Sequence, residues 1–249
     1  MKKYITIAAL FAAGTAFANA DVTLVDVDFT SVSEMPEGWT SGQWNGNNTP
    51  HFAFGANGVT VNHPWKQNYL ETTDLTLSLA EGVSYTIEFT TYSANKNDYQ
   101  ALFYLSSDSC SIALGNSYKD NTDVYVGDLN SAIGEQFVSF QSGASRTVID
   151  KDQTIDGLNV NNGLDYSLTL TEGLLSYSIS DGTTTKTGSF TFSGTDTFSK
   201  IGFVLDGATG TVGVKNISVV SSAIPEPSAF GLLAGLGALA LVASRRRRK

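Results

Sequence analysis

The sequence predicts an all-β sandwich of roughly 200 residues, flanked by a short segment at each end that belongs to a membrane rather than to the fold. Three observations carry the prediction. Apolar residues recur with period two along most of the chain between positions 21 and 222. Glycine-containing turn pairs separate these runs at intervals of roughly ten residues. No segment in that range carries a helical apolar stripe.

The strands follow in chain order. Thr23, Val25, Val27 and Phe29 form the first alternating run. Leu75, Leu77 and Leu79 form another, and Val83, Tyr85, Ile87 and Phe89 alternate cleanly with Ser84, Thr86 and Glu88. Ala101, Phe103 and Leu105 alternate less cleanly, because Leu102 and Tyr104 intervene. Later runs are Leu168 and Leu170, then Leu175, Tyr177 and Ile179, then Phe190 and Phe192, then Ile201, Phe203 and Leu205. The pairs Glu81-Gly82, Glu172-Gly173, Asp181-Gly182, Ser193-Gly194 and Asp206-Gly207 read as the turns between them. The last strand holds Val212, Val214, Asn216 and Ser218, interleaved with Ile217 and Val219. First and last strands are expected to lie side by side, with the tail leaving from one edge of the sandwich.

Both ends read as addresses. Lys2 and Lys3 precede an apolar run from Ile5 to Phe17, which closes on the small-x-small site Ala18-Asn19-Ala20. That order is a secretory signal peptide, residues 1–20, cut after Ala20. The run is shorter than the ~20 residues that span a bilayer. At the other end, Pro225-Glu226-Pro227 precedes an uncharged stretch from Ser228 to Ser244, followed by Arg245, Arg246, Arg247, Arg248 and Lys249. As a helix the stretch is about 25 Å long at ~1.5 Å per residue. A transmembrane helix is therefore expected, with local thinning and snorkelling arginines covering the small mismatch. The five cations belong on the cytoplasmic side, which leaves the preceding domain outside the inner membrane. The expected division is 1–20 signal peptide, 21–222 sandwich and 223–249 sorting signal.

Composition narrows the partners. Leader and tail hold seven of the 15 basic residues and one of the 24 acidic ones, so the domain carries eight cations against 23 anions, a net −15. A surface so acidic argues against nucleic acid and anionic lipid. Cys110 is the single cysteine, so no intramolecular disulfide can form, and packing must hold the domain together.

Catalytic patterns are absent. The Glu-x-Asp-x-x-Glu strand of sandwich glycosidases, which sets two carboxylates on one face, does not occur: Glu88 stands alone on its run and Glu71 is followed only by Asp74. Gly-x-Ser-x-Gly is missing, and His51 and His63 are the only histidines. No catalytic residue is assigned, and the chain is not expected to be an enzyme. Trp39, Trp44, Trp65 and Tyr69 gather all three tryptophans near the start, beside Asn45, Asn47, Asn48 and Gln67. Such rings stack on the C–H faces of sugars, so these four are the candidate glycan contacts; as core plugs they would serve the fold instead. Asp120 and Asp123 lead the candidates for calcium, although Ca²⁺ needs six to eight oxygens and several converging loops. No cofactor is otherwise expected.

The ordered tail, Pro225-Glu226-Pro227, apolar stretch and Arg245 to Lys249, resembles the PEP-CTERM sorting signal of Gram-negative bacteria. The resemblance covers about the last 25 residues. It implies recognition by an exosortase, a membrane-embedded cysteine transpeptidase, and release or transfer to the surface. The opening Asp28-Phe29-Thr30, then Gly38-Trp39-Thr40, the hairpin from Tyr166 to Gly182 and the closing Val214 to Val219 resemble jelly-roll sandwiches of the concanavalin or laminin-G type. The galactose-binding-like jelly roll fits nearly as well.

The expectation is thus an exported, non-catalytic envelope or surface protein that binds glycan or matrix polysaccharide. It starts as an inner-membrane-anchored precursor and ends at the cell surface, outer envelope or extracellular matrix. Its partners are the secretion machinery and an exosortase-type transpeptidase. A structural or adhesive envelope protein without a small ligand is the alternative, and a polysaccharide-active enzyme the second.

Overall fold

The computed structural model describes residues 21–43, 51–61, 68–94, 99–107, 111–116, 124–128, 153–160, 163–193, 197–207 and 211–223. These residues form two stacked antiparallel sheets and a two-stranded ribbon, with no α-helix among them. Sheet A contains β1 (Val22–Asp28), β3 (Ala53–Gly55), β4 (Gly58–Val61), β7 (Val83–Ala94), β12 (Asp165–Thr171), β13 (Leu174–Ser180), β14 (Thr185–Thr191) and β17 (Thr211–Ala223). Its order is β14-β13-β12-β7-β17-β4-β3, and β1 also pairs with β17. Sheet B contains β2 (Trp39–Gln43), β5 (Asn68–Thr72), β8 (Tyr99–Ser106), β9 (Ser111–Asn116), β10 (Val124–Asp128), β11 (Gln153–Ile155) and β16 (Lys200–Gly207), in the order β11-β10-β9-β8-β16-β5-β2. The ribbon is β6 (Leu77–Ser78) with β15 (Thr197–Phe198).

Period-two alternation assembles the core. Tyr85, Ile87 and Phe89 of β7 and Tyr166, Leu168 and Leu170 of β12 face inward from sheet A. Phe103 and Leu105 of β8 and Ile201, Phe203 and Leu205 of β16 meet them from sheet B. Phe89 joins the layers: its ring stacks on Phe103 at 4.8 Å and on Tyr166 at 4.4 Å, and meets Phe203 edge-on at 5.2 Å. Such aromatic contacts add about 0.5–1.5 kcal/mol each beyond their buried area.

First and last strands do lie side by side, with Val22 opposite Ser221 and Asp28 opposite Asn216. The last strand is not at an edge, however. β17 pairs with β7 along its length, while its other flank is shared by β4 near its start and β1 near its end. The register slips at Lys215, where that flank changes partner. Two hydrogen bonds repair the bulge: Phe29 N–H donates to the Lys215 carbonyl at 2.8 Å, and Thr90 N–H donates to Asn216 Oδ1 at 3.1 Å.

Local differences from the sequence reading have physical causes. The run from Leu75 to Leu79 shrinks to the two-residue β6, because its inward leucines plug the end of the core instead of extending a ladder. Asp206-Gly207 is no turn; both residues pair with β8, opposite Gln100 and Tyr99. Glu172-Gly173 and Asp181-Gly182 do turn the chain, each glycine with positive φ, 68° and 85°. Asp181 fixes its turn by accepting from the backbone N–H groups of Asn159, Thr183 and Thr184, and those bonds hold its carboxyl below the usual carboxylate range.

Candidate binding face

The pleat divides β5 between two environments. Asn68, Leu70 and Thr72 point into the sandwich and are buried. Tyr69 and Glu71 point to the outward face of sheet B. There, cross-strand rows place Gly42, Tyr69, Val204 and Leu102 side by side, and in the next row Thr40, Glu71, Gly202, Tyr104 and Ala113. Glycine and tyrosine alternate for a steric reason. The Tyr69 ring lies where a side chain on Gly42 would stand, and the Tyr104 ring lies where one on Gly202 would stand. Each tyrosine covers the backbone that its neighbour leaves bare.

Glu71 is the chemical centre of this face. Tyr104 donates its hydroxyl to Glu71 Oε2 at 2.8 Å, and Lys200 Nζ meets Glu71 Oε1 at 2.8 Å. Burial, followed by the Glu71 charge, pushes the Tyr104 phenol well above its ordinary value. Both Glu71 oxygens are therefore engaged, and the residues flanking it across the row, Thr40 and Gly202, carry no carboxylate. A glycosidase pair needs two carboxyls roughly 5–9.5 Å apart, and one of them must be able to deliver a proton. The middle of the face is filled: Leu102, Tyr104, Ala113 and Val204 are all fully buried although they point away from the main core. The rim at β2, the last described strand of sheet B, stays accessible, with Thr40 exposed and Tyr69 half-buried.

The four candidate glycan residues do not share one place. Trp39 points inward at the start of β2 and meets Phe29 edge-on at 5.4 Å, packed against the core. It also lines an open cleft of about 320 Å³ between β1 and β2, with Leu24, Val27, Glu37, Asp74 and Leu75. Tyr69, on the next strand, faces the opposite way. Trp44 and Trp65 lie outside the described residues, as do Asp120 and Asp123, Cys110, His63, Ala18 and Ala20, Pro225 to Pro227, the stretch from Ser228 to Ser244, and Arg245 to Lys249. His51 is exposed, its backbone N–H donating to Asn68 Oδ1 at 3.2 Å. Glu88 is remote from Glu71, on the outward face of sheet A beside Ser167. Among the described residues, no group of three or more His, Cys, Asp or Glu side chains could hold a metal ion, and no helix is long and apolar enough to cross a membrane. Sequence reasoning missed the cluster of Glu71, Tyr104 and Lys200. Its one signal was Leu102 and Tyr104 breaking the alternation of their strand.

This architecture is that of the jelly-roll sandwiches found among lectins and glucanases, of the concanavalin-like type. An endo-1,3-beta-glucanase from Streptomyces sioyaensis is 12% identical, with 82% of this chain and 98% of that one covered and a TM-score of 0.57. The Crh5 transglycosylase is 16% identical over 84% of this chain and 86% of its own, with a TM-score of 0.52. The carbohydrate recognition domain of Emp47p is 11% identical over 79% and 94%, with a TM-score of 0.51. At such identities the likeness is one of fold. No curated protein matches the chain. The tail is more specific: residues 223–248 match the PEP-CTERM protein-sorting motif. The chain is thereby marked as an exported protein, made as a membrane-anchored precursor and processed at a C-terminal sorting signal.

Proposed function

We propose that the sandwich is a non-catalytic module that binds extracellular polysaccharide once export has delivered it to the cell surface, the outer envelope or the matrix. The observation that carries this reading is the state of Glu71. Lys200 and Tyr104 occupy both of its oxygens, and no second carboxylate lies beside it in its row. A carboxylate so engaged serves as a clamp on the sheet rather than as a proton donor. The half-buried Tyr69 ring beside exposed Thr40 offers a sugar an apolar face and a hydroxyl at the β2 rim of sheet B.

The test is titration of the mature domain with soluble polysaccharides, followed by intrinsic fluorescence and calorimetry. Saturable binding is expected, weakened at least tenfold in Tyr69→Ala and retained in Tyr69→Phe, with no reducing sugar released. Repeating the titration with a chelator reads whether calcium, through Asp120 and Asp123, takes part. Silence across a broad glycan array would overturn the binding reading in favour of a structural or adhesive envelope protein. Turnover of any polysaccharide would return the chain to the enzymes.

A further inference from the structure

The described residues next to both expected processing points lie together at one end of sheet A. Val22, two residues after the expected signal-peptide cut, pairs with Ser221, and Ser222 Oγ donates to the Asp21 carboxylate at 2.6 Å. β17 stays paired to its last residue, with Ser222 opposite Ser84 and Ala223 opposite Val83. Only Ile224 then separates the ladder from Pro225, and a proline, lacking an N–H, cannot carry a ladder onward. On the other side of Pro227 the uncharged stretch begins at once. An enzyme acting at this motif therefore works between the bilayer and a folded sandwich, two residues from the last described ladder position.

We propose that the segment engaged in processing reaches into the sheet, and that Ser221, Ser222 and Ala223 must leave β7 and β1 before the tail is cut. The proposal rests on the reading of the tail as a processing signal. An enzyme that cuts or transfers a backbone amide takes its substrate as an extended strand, which must first be free of the substrate's own sheet; the acyl half of that bond passes to water or an acceptor amine, and the amine half leaves with the tail. The composition of the strand end suits such a detachment. Ser221 and Ser222 are half-buried and Ala223 is exposed, so none of them anchors the core. Ile217 and Val219, just upstream, are fully buried and set the limit of fraying.

The experiment follows tail loss from the full precursor by pulse-chase and intact mass, in a host that carries the processing enzyme. A six-residue Gly-Ser spacer between Ala223 and Ile224 is expected to speed tail loss at least threefold. Ser84→Cys with Ser222→Cys, in a Cys110→Ser background, pins the strand end to its native neighbour. This variant is expected to slow tail loss at least tenfold, with the parent rate restored by reductant. Spacer and pinned variants both processed at the parent rate would overturn the proposal. A parent that keeps its tail, or a Pro225→Ala/Glu226→Ala variant that loses it as fast as the parent, would instead sink the reading of the tail, and this proposal with it.

Discussion

The outward faces of the two sheets put the same strand period to different uses. On sheet A, one row across six strands runs Asp26, Ser218, Glu88, Ser167, Ser178 and Thr187, and the next runs Asp28, Asn216, Thr90, Asp165, Ser180 and Thr185. Every one of these side chains is at least partly exposed. On sheet B, the corresponding rows hold Leu102, Tyr104, Ala113 and Val204, all fully buried, with glycines fitted beneath tyrosines. Sheet A is thus buried on one side, and sheet B, inward of its rim, on both. A sheet wetted on one face tolerates change there, whereas a sheet packed on both leaves little room on either.

Substitutions can break or sharpen this contrast. The largest effect belongs to the ring that both sheets share. Phe89→Ala removes contacts to Phe103, Tyr166 and Phe203 and is expected to cost about 3–5 kcal/mol in denaturant unfolding of the mature domain. Next come the glycines. Gly202→Ala would drive a methyl group into the Tyr104 ring and to 2.7 Å from the Leu70 carbonyl oxygen, with an expected cost of about 1–3 kcal/mol. Gly55→Ala on sheet A meets nothing within 4 Å and should be neutral, or stabilising by up to about 1 kcal/mol. Equal costs at the two sites would show that sheet B is no tighter than sheet A. The smallest effect shows only at alkaline pH. Burial raises the folded phenol of Tyr104, so its contribution is fully present below the unfolded tyrosine value of about 10 and is lost as pH rises beyond it. Absorbance titration should find Tyr104 ionising only with unfolding, and Tyr104→Phe should remove that alkaline step. Ionisation of Tyr104 itself near its ordinary value in the folded domain, read as the difference from Tyr104→Phe, would mean that the outward face of sheet B is wet.

The same contrast explains what could be read in advance. Val83 to Phe89 and Leu175 to Ile179 alternate cleanly because their outward neighbours meet water, and they appear as strands where the alternation places them. Ala101 to Leu105 lost its alternation because both faces of β8 are buried; the interruption by Leu102 and Tyr104 was itself the signal of two-sided packing. The pairing of the two end strands was legible, but the interior position of β17 was not, since the sequence carries no mark of the second flank shared by β4 and β1. The candidate site was legible only in part. Aromatic composition singled out Trp39 and Tyr69 together, yet pleat parity sends them to opposite faces. The partnership of Glu71 with Tyr104 and Lys200 joins three strands distant in sequence, and no spacing rule brings such residues together.

The central position of β17 sets a schedule for the whole molecule. Strands β1, β4 and β7 all wait for a neighbour that is synthesised after them, and among the described residues β1 joins no other ladder. Sheet A therefore cannot close before β17 is available. Closure comes when Thr211 to Ala223 take their place between β7 and the pair β4 and β1. Pairings this distant along the chain also form slowly. The strand order thus places the closure of sheet A after every other described strand has been made.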